Sequence, residues 1–144
     1  MTLLVSACLL GCSCRYDGAS KPLDGDILDA LREKYTLIPV CPEIYGGLPT
    51  PRHPSERRGV RVVMNSGEDV TAQYRKGAQE ALRLAEMFGC TAALLKQRSP
   101  SCGSGTIYDG TFSGALTEGW GVAAELLRSS GITVLGEDRV SELL

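Results

Sequence analysis

The sequence predicts an α/β fold, a three-layer Rossmann-like sandwich with a short, mainly parallel sheet. Three observations predict it. Short apolar runs without polar alternation are typical of strands that are covered on both faces. Segments with helical spacing separate these runs, and this alternation favours parallel strands joined by crossovers. The 144 residues, 43% hydrophobic and 22% charged, suit a single soluble domain spanning residues 1–144.

Four apolar runs are the candidate strands of this sheet. They are Leu3–Ala7, Thr36–Val40, Thr91–Leu95 and Ile132–Leu135. None of them alternates polar and apolar residues, so each is expected to be buried on both faces. A weaker run, Val60–Met64, is predicted to be an edge strand.

Three segments between the strands have the apolar spacing of helices. Asp24 is a candidate N-cap for the first. The second follows residue 69, carries apolar residues at helical spacing over 70–88, and has Gly89 as a natural stop. The third covers 122–127 and is expected to end at Gly131. The chain has no GxGxxG motif, so dinucleotide binding has little support.

Charge and hydropathy disfavour several classes of partner. The net charge of −2 recruits neither nucleic acid nor an anionic membrane. The apolar N-terminus breaks at Gly11, lacks a basic flank and is too short to span a bilayer. We therefore expect a cytoplasmic monomer or homodimer with a small-molecule substrate. One local group of arginines is either part of a solvated loop or a contact for an anionic substrate or RNA: Arg52, Arg57, Arg58 and Arg61.

The six cysteines direct attention to metal binding or thiol chemistry, because disulfides are rare in a reducing compartment. In an open parallel sheet, ligands collect beyond the carboxyl ends of the strands. Cys8 and Cys41 follow the first two predicted strands, and Cys102 lies in the loop after the third. These three thiols are expected to converge on one edge of the sheet. Cys90 precedes its strand and is expected to be a buried core residue.

The segment around Cys102, RSPSCGSGTIYDGTFSG (98–114), is predicted to be a loop because glycine and proline are dense in it. It offers Ser101 and backbone N–H groups around the thiol. The motif CPE places the carboxylate of Glu43 two residues after Cys41. Core packing requires none of these polar groups, which favours a functional site over three packed thiols.

Three thiolates with an open position suit either zinc or an iron–sulfur cluster, and their spacing does not decide between them. His53 could complete a Cys3His zinc site, although its loop is expected to be exposed. Cys14, and less readily Cys12, remain open as additional ligands, since their CxC spacing matches no common zinc motif.

Five segments resemble the TudS-like family of small proteins, whose characterised activity is 2-thiouracil desulfidase. In the family's order, over essentially the whole chain, they read VSACLLG, CRYDG, CPEIYGGLPTPR, GEDVT and RSPSCGSGTIYDGTFSG. The resemblance implies a [4Fe–4S] cluster held by Cys8, Cys41 and Cys102, with one iron left open. It also implies that Glu43 is the catalytic carboxylate and Ser101 its neighbour at the pocket.

The implied reaction replaces the sulfur of a thiolated pyrimidine such as 2-thiouracil with oxygen from water, without redox change. Glu43 would move protons as general base and then acid. Ser101 and the loop N–H groups would hold the base or its developing charge. Two other functions stay open from the residues alone: a non-catalytic iron–sulfur or sulfide carrier, and a zinc-dependent hydrolase. Glu43 could instead cap a helix or pair with Arg52, and Ser101 could only shape the turn.

Overall fold

A four-stranded parallel sheet organises the computed structural model, which describes all 144 residues. In chain order the strands are β1 (Thr2–Ser6), β2 (Thr36–Val40), β3 (Ser55–Arg58), β4 (Arg61–Met64), β5 (Ala92–Leu95), β6 (Ser104–Tyr108), β7 (Leu116–Trp120) and β8 (Thr133–Gly136). The main sheet has the order β2–β1–β5–β8, and every neighbouring pair in it is parallel. All four predicted core strands are therefore present, with ends shifted by a residue or so.

Helices cover both faces of this sheet. They are α1 (Gly25–Lys34), α2 (Pro42–Tyr45), α3 (Thr71–Met87) and α4 (Val122–Ser129), with 3₁₀ helices at Ala7–Leu10 and Glu137–Leu143. Leu4 of β1 packs in one core with α3 and α4, whereas its neighbours Leu3 and Val5 pack with α1 and the second 3₁₀ helix. The predicted three-layer α/β sandwich is confirmed. None of the helices has the length and apolar character needed to span a membrane.

Two antiparallel hairpins lie outside the main sheet, β3–β4 and β6–β7. The predicted edge strand Val60–Met64 is present as β4, but it pairs with β3 in a hairpin and not with the main sheet. The polar strand β3, SERR, has no apolar signal that could have revealed this partner. Part of the predicted loop 98–114 is also a strand: β6, SGTIY, pairs along its whole length with β7.

The helix ends follow the predicted signals in part. Gly89 and Gly131 have φ values of +66° and +88° just after α3 and α4, a conformation that glycine adopts without strain. Asp24 occupies the N-cap position of α1, but its side chain makes no capping hydrogen bond. The short helix α2 was not predicted, although Pro42 at its start is a favourable first residue.

Candidate active site

A crevice opens at the carboxyl ends of β1 and β5. The chain leaves β1 towards α1 on one face of the sheet and leaves β5 towards α4 on the other face. Open α/β sheets bind ligands at such a switch in connection direction. A cavity of about 480 Å³ lies there, a volume typical of small-molecule sites. A depression of the same volume against α1 has no cysteine in its lining.

Four cysteines line this cavity: Cys8, Cys14, Cys41 and Cys102. The three thiols predicted from the strand ends thus share it with Cys14, whose participation the sequence left open. None of the chain's cysteines forms a disulfide. Cys12 and His53 are exposed and contribute nothing to the lining. Cys90 is buried in the core with α3 and α4, as predicted.

The thiols come from separate parts of the chain. Cys8 is in the 3₁₀ helix after β1, Cys41 stands between β2 and α2, and Cys102 follows β5. No three His, Cys, Asp or Glu side chains are grouped so that they could hold one metal ion together. A structural zinc site needs its ligands around a single point, whereas an iron–sulfur cluster spans more than one metal and prefers thiolate donors. The lining supplies four free thiols and no histidine, a donor set that fits an iron–sulfur cluster.

The surroundings raise the pKa of three of the cavity's thiols, those of Cys14, Cys41 and Cys102. Burial raises the pKa of Cys102 to about 12, although hydrogen bonds from Ser6 and Ser101 lower it. Hydrogen bonding with Cys41 lowers the pKa of Cys14, but contact with Cys8, burial and nearby charge raise it to about 11 overall. Hydrogen bonding with Cys14 and burial raise the pKa of Cys41. Metal binding must therefore displace protons from these groups.

Serine hydroxyls hold the Cys102 loop. The Ser99 Oγ accepts hydrogen bonds from the backbone N–H groups of Ser101 and Cys102, each at 3.1 Å. The Gly103 N–H donates to the Ser99 carbonyl at 2.9 Å. The expectation that this loop offers free N–H groups to a substrate is therefore wrong for these three residues, because the loop's own turn uses them. The Ser101 hydroxyl faces the cavity instead.

The first residues of α4 also hold the Cys102 loop in place through hydrogen bonds. The N–H groups of Val122 and Ala123 donate to the carbonyls of Pro100 and Ser101 at 2.8 and 2.9 Å. These are helix N-terminal groups that have no partner within the helix. A Cβ on Gly121 would lie 2.4 Å from the Ser101 carbonyl carbon, so only glycine permits this approach.

Helix α3 fixes the wall that carries Cys41 and Glu43. A Cβ on Gly77 of α3 would lie 1.8 Å from the carbonyl oxygen of Pro42, the first residue of α2. A Cβ on Gly46 would lie 2.0 Å from the carbonyl oxygen of Gln73 on α3. Two glycines thus let the backbones of α2 and α3 touch. The long helix sets the position of the CPE segment.

Glu43 holds two different partners with its two carboxylate oxygens. Its Oε1 accepts a hydrogen bond from Arg52 Nε at 3.0 Å, and its Oε2 accepts one from the Ser101 hydroxyl at 2.9 Å. The Glu43 and Arg52 side chains are only 14% and 3% exposed. The sequence left two interpretations of Glu43 open: a neighbour of Ser101 at the pocket, or an ion pair with Arg52. Both contacts are present in the structure.

Arg52 is a site residue that the sequence analysis did not assign. Besides Glu43, its guanidinium donates to the carbonyl of Cys14 at 2.9 Å and to that of Pro49 at 3.1 Å. It therefore joins the carboxylate to the N-terminal cysteine loop. Its place in the segment CPEIYGGLPTPR, nine residues from Glu43, is the only sequence signal for this role.

The remaining arginines of the predicted basic cluster are engaged within the protein. Arg57 pairs with Glu125 at 2.6 Å, Arg58 donates to the Gly110 carbonyl at 2.7 Å, and Arg61 lies 3.3 Å from Asp69. Neither a solvated loop nor one anion-binding patch describes them, because each bridges to a different element.

Aromatic and basic side chains complete the cavity lining. Tyr16 and Tyr108 both contribute to it, and flat rings at this position suit a planar ligand. Lys96 lies 3.3 Å from Glu137, so its charge is balanced within the protein. Arg98 also lines the cavity and has an unusual φ of +65°.

Comparison with known proteins identifies the family of this chain. Residues 3–139 match the family model described as 2-thiouracil desulfurase. The chain is 42% identical to an uncharacterised protein, YbbK of Bacillus subtilis (strain 168), over 99% of both chains. A solved structure described as a [4Fe-4S]-dependent thiouracil desulfidase, TudS, superposes with a TM-score of 0.94 at 51% identity, covering 99% of this chain and 94% of that one. The chain belongs to the 2-thiouracil desulfurase family.

Proposed function

We propose that this protein is a [4Fe–4S]-dependent desulfidase that converts a thiolated pyrimidine such as 2-thiouracil to its oxo product. The observation that carries the proposal is one cavity lined by four free cysteines and by the hydrogen-bonded pair Glu43–Ser101. The family model and the similarity to TudS support the same activity and cofactor. They favour neither a sulfide carrier nor a zinc hydrolase.

In this proposal Cys8, Cys41 and Cys102 are the cluster ligands. Cys8 and Cys41 directly follow the neighbouring strands β1 and β2, and Cys102 lies in the loop after β5 that the start of α4 holds. Cys14 comes from a loop and is held through its carbonyl by Arg52 and by the Cys41 thiol, at 2.9 and 3.8 Å. A cluster on three thiolates keeps one iron open, which supplies a Lewis acid for the soft sulfur of a thiocarbonyl.

The protein side chains supply the proton transfers. Water donates the oxygen, its two protons leave with the sulfur as hydrogen sulfide, and no electron is transferred. Glu43 accepts a proton from the attacking water and then returns it, because two donors hold its carboxylate in a fixed orientation. The Ser101 hydroxyl lies 2.9 Å from Glu43 and 3.6 Å from the Cys102 sulfur, so it bridges the base and the cluster wall.

Anaerobic reconstitution tests the proposal. The loaded protein is expected to be brown, to contain four irons and four sulfides, and to release sulfide from 2-thiouracil over many turnovers. Changing Cys8, Cys41 or Cys102 to Ala is expected to abolish colour. Cys12→Ala is the matched control, because that thiol is exposed and outside the cavity. A colourless but fully active wild type, or release that stops at one sulfide per protein, would contradict the proposal.

Glu43→Gln separates catalysis from cluster binding. This isosteric change is expected to keep the colour and the iron content, and to lower kcat by about 10²–10⁴-fold because the general base is lost. Unchanged turnover in Glu43→Gln would remove Glu43 from the mechanism. Colour retained in Cys8→Ala but lost in Cys14→Ser would instead make Cys14 the N-terminal ligand.

We also propose that the protein works in the cytoplasm on a small molecule. Its six cysteines are free, which suits a reducing compartment. Monomer or homodimer, and the absence of nucleic-acid and membrane partners, stay predictions from the sequence.

A further inference from the structure

The hydroxyl of Tyr74 is a buried polar group without a partner. Tyr74 lies on α3, is 1% exposed and contributes to the cavity lining. Its Oη makes no hydrogen bond, a property that it shares with a single other buried side-chain atom, Glu137 Oε2. Buried polar groups in folded proteins are nearly always paired, so an orphan beside a functional site calls for an explanation.

The Glu43 carboxylate, which lines the same cavity, is a hydrogen-bond acceptor for which this hydroxyl could be a donor. Burial raises the pKa of Tyr74, and the negative charge of Glu43 raises it further, so the hydroxyl keeps its proton. The Ser55 side chain and the positive charge of Arg52 lower this pKa, without reversing the rise. Both side chains line the cavity, and α2 touches α3 where Gly46 meets the carbonyl of Gln73, the residue before Tyr74. The unpaired Tyr74 hydroxyl therefore lies on the wall that carries the Glu43 carboxylate.

The donors that Glu43 already has differ in how firmly they are held. Arg52 is fixed to Oε1 and to backbone carbonyls on two loops. Ser101 has one proton but several acceptors around its Oγ: Glu43 at 2.9 Å, Ser99 at 2.9 Å and the Cys102 sulfur at 3.6 Å. A substrate atom that takes this proton would leave Oε2 of Glu43 without a donor.

We infer that Tyr74 is a positioning residue for Glu43, donating a hydrogen bond to its carboxylate when Ser101 turns to the substrate. The inference rests on the proposed function, because it assigns Tyr74 a place in that reaction. Glu43 then keeps two donors throughout, Arg52 on one oxygen and Tyr74 on the other. Its orientation towards the attacking water is preserved at the moment of proton transfer.

Tyr74→Phe tests the inference, because it removes one oxygen atom and keeps the ring. The expected result is a fall in kcat of about tenfold, with KM changed less than about twofold. Iron content should be unchanged, and the Tm of the metal-free protein should not fall, since the hydroxyl has no partner to lose. The matched control is Tyr35→Phe. The Tyr35 hydroxyl donates to the Leu143 carbonyl at 2.9 Å, outside the cavity, so this variant should lower Tm and leave kcat unchanged.

The outcomes separate the inference from the proposed function. Wild-type protein without turnover on 2-thiouracil would end the proposed function itself. With an active wild type, a Tyr74→Phe kcat equal to the wild-type value would overturn only the inference, as would a kcat loss matched by lost iron or a lowered Tm. Should the variant not fold, a crystal structure of loaded wild type with 2-thiouracil decides: the inference requires Tyr74 Oη within about 3.2 Å of a Glu43 oxygen.

Discussion

At the scale of single residues, Ser6 shows how one hydroxyl can serve both the sheet and the site. It is the last residue of β1 and is 2% exposed. Its Oγ donates to the Cys102 sulfur at 3.3 Å and accepts the N–H of Lys96, just after β5, at 2.9 Å. It thus ties the carboxyl ends of two neighbouring strands to the thiol between them. Hydrogen bonds to ligand sulfurs also tune the properties of a cluster.

Ser6→Ala is expected to lower the free energy of unfolding by about 1–2 kcal/mol, because the Lys96 N–H loses its acceptor. The cluster on Cys102 should also decay faster in air. Urea denaturation and the loss of visible absorbance measure the two effects. Ser130→Ala is the control: its exposed hydroxyl bonds only the Leu126 carbonyl, so a change below about 0.5 kcal/mol is expected. Equal effects from both variants would contradict a special role for Ser6.

Arg52→Lys is expected to lower kcat strongly, because an ammonium group cannot reach Glu43 and the Cys14 carbonyl together as the guanidinium does. Arg52→Ala should in addition cost about 3–5 kcal/mol of stability, since it leaves the buried Glu43 charge without its partner. Arg61→Ala is the control, because its exposed pair with Asp69 is worth about 1 kcal/mol or less. Steady-state kinetics and urea unfolding measure these changes, and an Arg52→Lys enzyme with wild-type kcat would contradict the assignment.

At the scale of elements, the contact between α2 and α3 connects the core to the chemistry. Helix α3 packs with α4 against the sheet through small residues such as Ala78 and Ala81. Its Gly77 brings the Pro42 backbone against it, and so positions Cys41 and Glu43 on either side of that proline. A glycine inside a helix normally costs about 1 kcal/mol relative to alanine. Here the close approach explains why glycine is used.

Gly77→Ala is therefore expected to reduce iron content and turnover, even though alanine is the better helix former. The added Cβ would lie 1.8 Å from the Pro42 carbonyl oxygen, so α2 must move. Gly25→Ala is the matched control: its Cβ would meet nothing within 4 Å at the start of α1, and stability should be unchanged or raised by up to about 1 kcal/mol. Iron analysis and thermal unfolding report the result, and full iron occupancy in Gly77→Ala would show that α2 does not depend on this contact.

At the scale of the whole molecule, the proposed ligands join three strands and both layers of helices. Cys8 packs in the core on the α1 side of the sheet, whereas Cys102 packs in the core with α3 and α4. A cluster bound to both therefore links the two cores across the carboxyl edge of the sheet. Binding of this kind stabilises the folded state by an amount that rises with the logarithm of its affinity.

Cluster loading is expected to raise Tm by roughly 5–10 °C, which corresponds to about 2.7 kcal/mol for a ligand at a hundred times its Kd. Removal of the iron with a chelator should reverse the rise. Cys12→Ser should show the full increase and Cys41→Ala none. Anaerobic calorimetry measures all of these, and equal Tm values for loaded and metal-free wild type would argue against a cluster that bridges the cores.

Much of the fold was predictable because burial leaves a local pattern in the sequence. The four core strands and the three long helices carry runs or periodicities that depend only on near neighbours. The division of cysteines followed from the same pattern, since Cys8 comes after a strand and Cys90 before one. The polar strand β3 lacks such a pattern. The capping bond expected of Asp24 is absent because cap geometry depends on how the preceding loop approaches the helix.

The sequence by itself determined the parallel sheet, the helices around it and the edge to which Cys8, Cys41 and Cys102 belong, because strand direction alone sends those thiols to one end. Only the tertiary structure decided that Cys14 shares the cavity, that Arg52 and Ser101 hold Glu43 at the same time, and that Tyr74 on α3 lines the same cavity. These contacts join loops and helices distant along the chain. No periodicity records them, since they depend on the packing of whole elements rather than on neighbouring residues.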